Sequence, residues 1–276
     1  MALAVSSTVL IVDDGCEETM SAPLPSAQEF PRQGLTNAQA ARARSVRREM
    51  SSRAVRVLAV IAAVCAVVFV VFAALVWHKA TIGLDRTLAG PQYAPSNILG
   101  VTWFGSGWAQ LEHVAAAGSP AFVTIVVAVV VVAVWALRRD ALTAVVCMAG
   151  PTLAGVFSVV AKHGVGRLHG SSLSYPSGHE TLAAALGAAV VFAAWRLGGW
   201  RAGVVAAVVA VPYAALVGTA LVRLGWHYPT DVIGGVAVGV GFVCAGAAAA
   251  LALGASGPNQ NFSFRQPRLT EDSPAG

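Results

Sequence analysis

Six stretches of the chain, at about 55–77, 121–137, 141–161, 181–197, 202–222 and 230–254, carry almost no charge. Each is close to the roughly 17 to 25 residues an apolar helix needs to cross the hydrocarbon core. No water is available there to satisfy peptide groups, so a spanning segment must be a helix or part of a closed barrel, and runs this long and unbroken are helices. The chain is 57% hydrophobic and only 11% charged, where a soluble domain has about 25% charge. The expected fold is therefore all-α: a polytopic bundle of six transmembrane helices.

The organisation that follows is a basic segment over 1–50, the six-helix domain over 51–256 and a tail over 257–276. Scattered Pro, Gln, Ser and Ala without an apolar period give 1–50 the composition of a disordered segment. Ala2 to Val12 lacks the basic flank of a secretory signal, and Met50 offers a second start. Arg138 and Arg139 lie between the second and third runs, and Arg196 and Arg201 flank the joint between the fourth and fifth. The positive-inside rule puts those joints in the cytoplasm, and six crossings then return both termini to it. The expected location is the cell membrane, multi-pass. The connections 78–120, 162–180 and 223–229 face the other side. Trp103, Phe104 and Trp108 in the first of them suit an interfacial helix, and a plain spacer is the alternative.

The net charge of +5, from 18 Lys and Arg against 13 Asp and Glu, sits in the N-terminal segment and the short joints. That pattern serves orientation, and no aromatic-interleaved basic stripe suggests nucleic acid. Cys65, Cys147 and Cys244 fall inside apolar runs and read as small packing residues; with Cys16 they form no metal-ligand spacing. No metal or cofactor is expected.

Three polar clusters stand at the ends of these runs, all on the non-cytoplasmic side. In Tyr175-Pro176-Ser177-Gly178-His179-Glu180, Ser177 and Glu180 have the spacing of a capping box, so a helix should begin there. Its free N–H groups, the absent side chain of Gly178 and the Ser177 hydroxyl make a cradle for an anion. His179 is suited to proton transfer near neutral pH. In Arg223-Leu224-Gly225-Trp226-His227-Tyr228-Pro229-Thr230-Asp231, Pro229 fits the first position of a helix and Asp231 its first turn. Asp231 is then placed to hold Nδ1 of His227 and leave Nε2 to attack. Lys162, in Lys162-His163-Gly164-Val165-Gly166-Arg167-Leu168-His169, brings a cation to the same end.

These residues resemble the superfamily of type 2 phosphatidic acid phosphatases and vanadium haloperoxidases, whose motifs read Lys-x6-Arg-Pro, Pro-Ser-Gly-His and Ser-Arg-x5-His-x3-Asp. The resemblance spans roughly 55–254. It rests most sharply on Pro176-Ser177-Gly178-His179 followed by His227-x3-Asp231. It implies that His227 forms a phosphohistidine, that Asp231 orients it, and that His179 protonates the leaving group. Lys162, Ser177 and Gly178 would then hold the phosphoryl oxygens, without a metal.

Two motif positions depart: the family's Arg-Pro falls on His169 and Gly170, and its Ser-Arg on Ala220 and Leu221. Arg167 and Arg223, each two residues off, are expected to replace the missing clamps, with His169 as a further donor. Two residues rotate a helix by about 200°, so Arg223 reaches the site only if the backbone near Gly225 unwinds.

The function implied is hydrolysis of a lipid phosphate or isoprenoid pyrophosphate, with a membrane lipid as the partner. Phosphoryl transfer to another alcohol uses the same intermediate. The displaced arginines support a third reading, a catalytically weak relative that binds lipid phosphates or scaffolds.

Overall fold

The computed structural model describes residues 37–79, 81–89 and 108–256. Its helices are α1 (Asn37–Val76), α2 (Gly83–Ala89), α3 (Trp108–Ala116), α4 (Pro120–Arg138), α5 (Ala141–Val165), α6 (Gly178–Arg223) and α7 (Pro229–Ser256). Between α5 and α6 lie two short antiparallel strands, β1 (Leu168–His169) and β2 (Ser172–Leu173). The chain divides between Ala43 and Arg44 into two units, and the site described below lies wholly in the second. The expected features at 1–36, Trp103, Phe104 and the tail after Ser256 fall outside the described residues.

Helix α1 begins at Asn37, inside the segment whose composition suggested disorder. Residues 38–49 are rich in Ala and Arg, both good helix formers. They extend an already formed apolar helix and so need no nucleation step of their own.

Among the described residues, five helices are long and apolar enough to cross a membrane, one of them the 46-residue α6. At 1.5 Å per residue a straight α6 would reach roughly 70 Å, more than twice the hydrocarbon thickness. It breaks at Gly199, whose φ of 77° and ψ of −170° are not helical. The two halves fold back on each other: a Cβ on Gly187 would lie 3.2 Å from that of Ala210, whereas a straight helix would separate them by roughly 34 Å. Pro151 and Pro212 both lie inside helices.

One end of the bundle is basic. Arg138 donates to the carbonyl of Leu197 at 3.0 Å, and Arg196 reaches Asp140 at 2.6 Å. Asp140 caps α5 by accepting from the Thr143 N–H at 3.1 Å. Burial pushes its carboxyl upward, but hydrogen bonds from Thr143 and Arg196 outweigh burial and hold it below the usual carboxylate range. At the opposite end α5 finishes, α6 both starts and finishes, and α4 and α7 start.

The helices pack through small residues, as close approach within a membrane requires. A Cβ on Gly239 of α7 would collide with the Thr181 carbonyl and lie 2.7 Å from the Ala185 nitrogen, both backbone atoms of α6. Val134, Cys147, Ala154, Ala189 and Val243 fill the centre, while Val67, Val129, Val160 and Val208 face outward, more than half exposed. That is the expected arrangement when the solvent is lipid. Tyr175 wedges between α1 and α7, donating its hydroxyl to the Phe69 carbonyl at 2.8 Å and stacking on the Phe69 ring; burial raises its phenol pKa.

Gly239→Ala should lower the thermal midpoint, because rigid backbone cannot yield and overpacking costs about 1–3 kcal/mol. Gly246→Ala, where nothing stands within 4 Å, should be silent. Unfolding of both variants in detergent, followed by circular dichroism, checks the difference.

Candidate active site

The sequence at the end of α5 turns the chain inward. Gly166 closes the helix in the left-handed conformation, at φ 65°. Leu168 to Leu173 then form a hairpin whose tip, Gly170-Ser171, has Gly170 at φ 59°. A two-residue hairpin with glycine in that first turn position matches the twist of its strands. The hairpin presents His169 and Ser174 to one side and buries Arg167 on the other. Only the glycines hinted at it, in what reads as a loop.

Ser177 caps α6 as expected, its Oγ 3.4 Å from the Glu180 N–H. The reciprocal half of the capping box is not made. The Ser177 N–H donates instead to the Asp231 carbonyl at 3.0 Å, which ties α6 to the start of α7 and leaves the Glu180 side chain unused. Ser177 is fully buried and is not among the residues that line the cavity described next.

That cavity, of about 1100 Å³, is lined at its polar end by Lys162, His169, Ser174, Gly178, His179 and His227. It continues between α4 and α5 past Val123, Val127, Val131, Gly155 and Val159. Lys162 Nζ donates to the Leu173 carbonyl at 3.1 Å, which holds the ammonium over the polar end. His169 packs edge-on against Tyr228 at 4.4 Å, and His179 lies 6.2 Å from Trp226, between ring centroids. Three buried polar atoms, His169 Nδ1, Ser174 Oγ and His227 Nδ1, have no hydrogen-bond partner among the described residues. Ser174 was missed in the sequence, where one serine among several in a loop carries no signal.

His227 stands on the short turn between α6 and α7. Its Nδ1 is 3.5 Å from Asp231 Oδ2, and no hydrogen bond joins the two. The carboxylate itself is firmly held. Oδ2 accepts from the Tyr228 N–H at 3.0 Å and Oδ1 from Arg167 at 2.6 Å.

Arg167 and Arg223 do not line the cavity. Arg167 is fully buried, donating to Thr230 Oγ1 at 2.6 Å, to Asp231 and to Asp85 Oδ2, with its guanidinium 4.3 Å from the Tyr228 ring centroid. The guanidinium expected as a clamp is turned to the two carboxylates behind the site. Arg223 is the last residue of α6 and does not line the cavity, although the backbone leaves helical geometry at Gly225, with φ 66°.

Asp85 is the residue that sequence reasoning passed over. It lies in the first turn of α2, nearly fully buried, and accepts from the Thr230 N–H at 3.2 Å and the Thr230 hydroxyl at 2.6 Å as well as from Arg167. A carboxylate in a short segment between spans was the available signal, since such groups are functional candidates by default.

The family model described as the PAP2 superfamily matches residues 122–253. The matched stretch runs from α4 into α7. Among solved structures, the crystal structure of the first transmembrane PAP2 type phosphatidylglycerolphosphate phosphatase, from Bacillus subtilis, aligns with a TM-score of 0.55 at 20% identity. The alignment covers 66% of this chain and 92% of that one; at this identity it speaks for the fold alone. No curated protein matches the chain. This is a multi-pass membrane protein whose fold is similar to that of a transmembrane PAP2 structure.

Removing Asp85 leaves Arg167 with one carboxylate fewer in a buried setting, a change that typically costs about 3–5 kcal/mol. Asp85→Ala should lower the thermal midpoint, and kcat should fall on the order of tenfold with little change in KM, because Asp231 loses its restraint without loss of a substrate contact. Steady-state kinetics beside a melting curve check this; a drop in KM-dependent binding alone would contradict it.

Proposed function

We propose that the protein is a membrane phosphatase that hydrolyses a lipid phosphate through a phosphohistidine on His227. The observation that carries this reading is the shape of one cavity. Its polar end gathers a lysine, three histidines and the first turn of a helix, and its far part is an apolar cleft between two membrane-spanning helices. A phosphate head fits the first and an aliphatic tail the second.

The chemistry follows from the placement. Nε2 of His227 attacks phosphorus, and the bond from phosphorus to the lipid oxygen breaks. The protonated imidazole of His179 gives that oxygen its proton, so a lipid alcohol leaves. Water then attacks the phosphohistidine, neutral His179 takes a proton from it, and the bond from phosphorus to nitrogen breaks to release phosphate and free His227. Lys162, His169, the Ser174 hydroxyl and the N–H groups at the start of α6 hold the phosphoryl oxygens as charge builds, which is electrostatic stabilisation needing no metal. Asp231 faces the imidazolium formed in the first step, and the cluster of Asp85, Arg167 and Asp231 carries one more negative charge than positive.

The two halves of α6 act as separate crossings, which makes six. The basic joints near Arg138 and Arg196 then face the cytoplasm with both termini, and the active site faces away from it. A second reading, binding without turnover, draws support from one observation: neither Arg167 nor Arg223 lines the cavity.

Phosphate release by purified protein in detergent decides between them. Phosphatidic acid, phosphatidylglycerolphosphate and a polyprenyl pyrophosphate are the substrates to test, the second because the structural neighbour is named for it. Release from at least one lipid is expected, falling by about 10³-fold or more in His227→Ala and unaffected by EDTA. Tight binding of a lipid phosphate with no release would favour the second reading. EDTA inhibition reversed by a divalent metal would contradict the metal-free mechanism.

A further inference from the structure

A second cavity, of about 950 Å³, lies on the other side of the first turn of α6, between α1, the two halves of α6 and α7. It shares no lining residue with the catalytic cavity. Adjacent residues face the two: His179 lines one and Glu180 the other. Apart from Glu180 and Thr219 the groove is lined by apolar side chains, glycine and Cys244, and no Lys, Arg or His lines it.

Glu180 is 1% exposed, and neither carboxyl oxygen has a hydrogen-bond partner among the described residues. The other buried carboxyls, Asp85 and Asp231, are each bonded several times. The space for Glu180 comes from two glycines on facing helices. A Cβ on Gly218 would lie 3.0 Å from Glu180 Oε2, and one on Gly235 3.0 Å from the Glu180 Cβ. A buried carboxyl with no partner is costly in apolar surroundings and calls for a donor from outside the chain.

We propose that this groove binds a long-chain lipid alcohol, its hydroxyl on Glu180 and its chain along α6 toward Trp195. The assignment rests on the phosphatase reading for its source, since hydrolysis in the neighbouring cavity releases such an alcohol. The lining selects the head. A phosphate would enter the groove with no cation to offset its desolvation, so substrate is kept out and dephosphorylated lipid admitted. An ammonium brings three donors to a wall whose other polar side chain, Thr219, already donates to the Ala215 carbonyl at 2.7 Å. One hydroxyl matches one carboxyl. Fifteen residues of helix from Glu180 to Trp195 span roughly 22 Å, the depth of a long alkyl chain.

Trp195 reports occupancy. Stearyl alcohol brominated at the end of its chain should quench the Trp195 share of fluorescence in the full-length protein in detergent, that share being the difference from Trp195→Phe. Quenching should be saturable, at least about fivefold weaker in Glu180→Leu, and equally weakened in Ala215→Phe, which fills the groove from an exposed position and tests the site without touching the carboxyl. The phosphate monoester of the same brominated chain should quench Trp195 at least about fivefold less well. Equal quenching by alcohol and ester, or quenching indifferent to both variants, overturns the proposal. His227→Ala should quench as wild type does. If the alcohol binds selectively while wild type releases no phosphate from any lipid, the groove stands and the phosphatase reading falls; if phosphate is released but quenching is unselective, only the groove assignment falls.

Discussion

Arg167, buried between Asp85 and Asp231, is the interaction on which the arrangement of the site depends. Bringing one cation and two carboxylates out of water is costly, and only near-complete hydrogen bonding offsets it. The offset here is drawn from four parts of the chain. Asp85 comes from α2, Arg167 from the start of the hairpin, Thr230 and Asp231 from the first turn of α7, and Tyr228 covers the guanidinium. Once these are joined, the turn carrying His227 has little freedom. The same Asp231 accepts the Ser177 N–H through its backbone carbonyl, so the cap of α6, and with it His179, is placed by the residue that faces His227.

Such a cluster is affordable because the rest of the bundle asks little of its polar groups. Small residues let α6 and α7 approach until backbone meets backbone near Gly239, and the outward faces present valine to lipid. Charge is confined to the two ends. The basic end binds its arginines to Asp140 and to a helix carbonyl, and the opposite end concentrates histidine and lysine around a cavity. Two cavities then flank the first turn of α6, one with cationic groups at its head and one with a lone carboxyl.

Much of this was legible in the sequence because its signals are local. Long apolar runs gave the spans, the S-x-x-E spacing gave the start of α6, and Pro229 gave the start of α7. His179 and His227 were placed on one side of the membrane by counting spans, and they line one cavity. The parts less legible depend on partners distant in sequence. Arg167 reads as a phosphate ligand until Asp85, 82 positions earlier, is found beside it. Ser177 reads as a donor until Asp231 is seen to occupy its N–H and the fold to bury its hydroxyl. The extension of α1 back to Asn37 was a matter of propensity outweighed, in the reading, by charge and proline nearby.

The central claim is that His227 becomes covalently phosphorylated. Rapid acid-free quenching of the His179→Ala protein, mixed with a lipid phosphate carrying labelled phosphorus, tests it most directly, since loss of the proton donor slows breakdown of the intermediate as well as its formation. Label recovered on the peptide containing His227, stable in base and released by acid, is the predicted result. Label on no peptide while wild-type enzyme turns over the same lipid, or label on a different residue, would contradict the account.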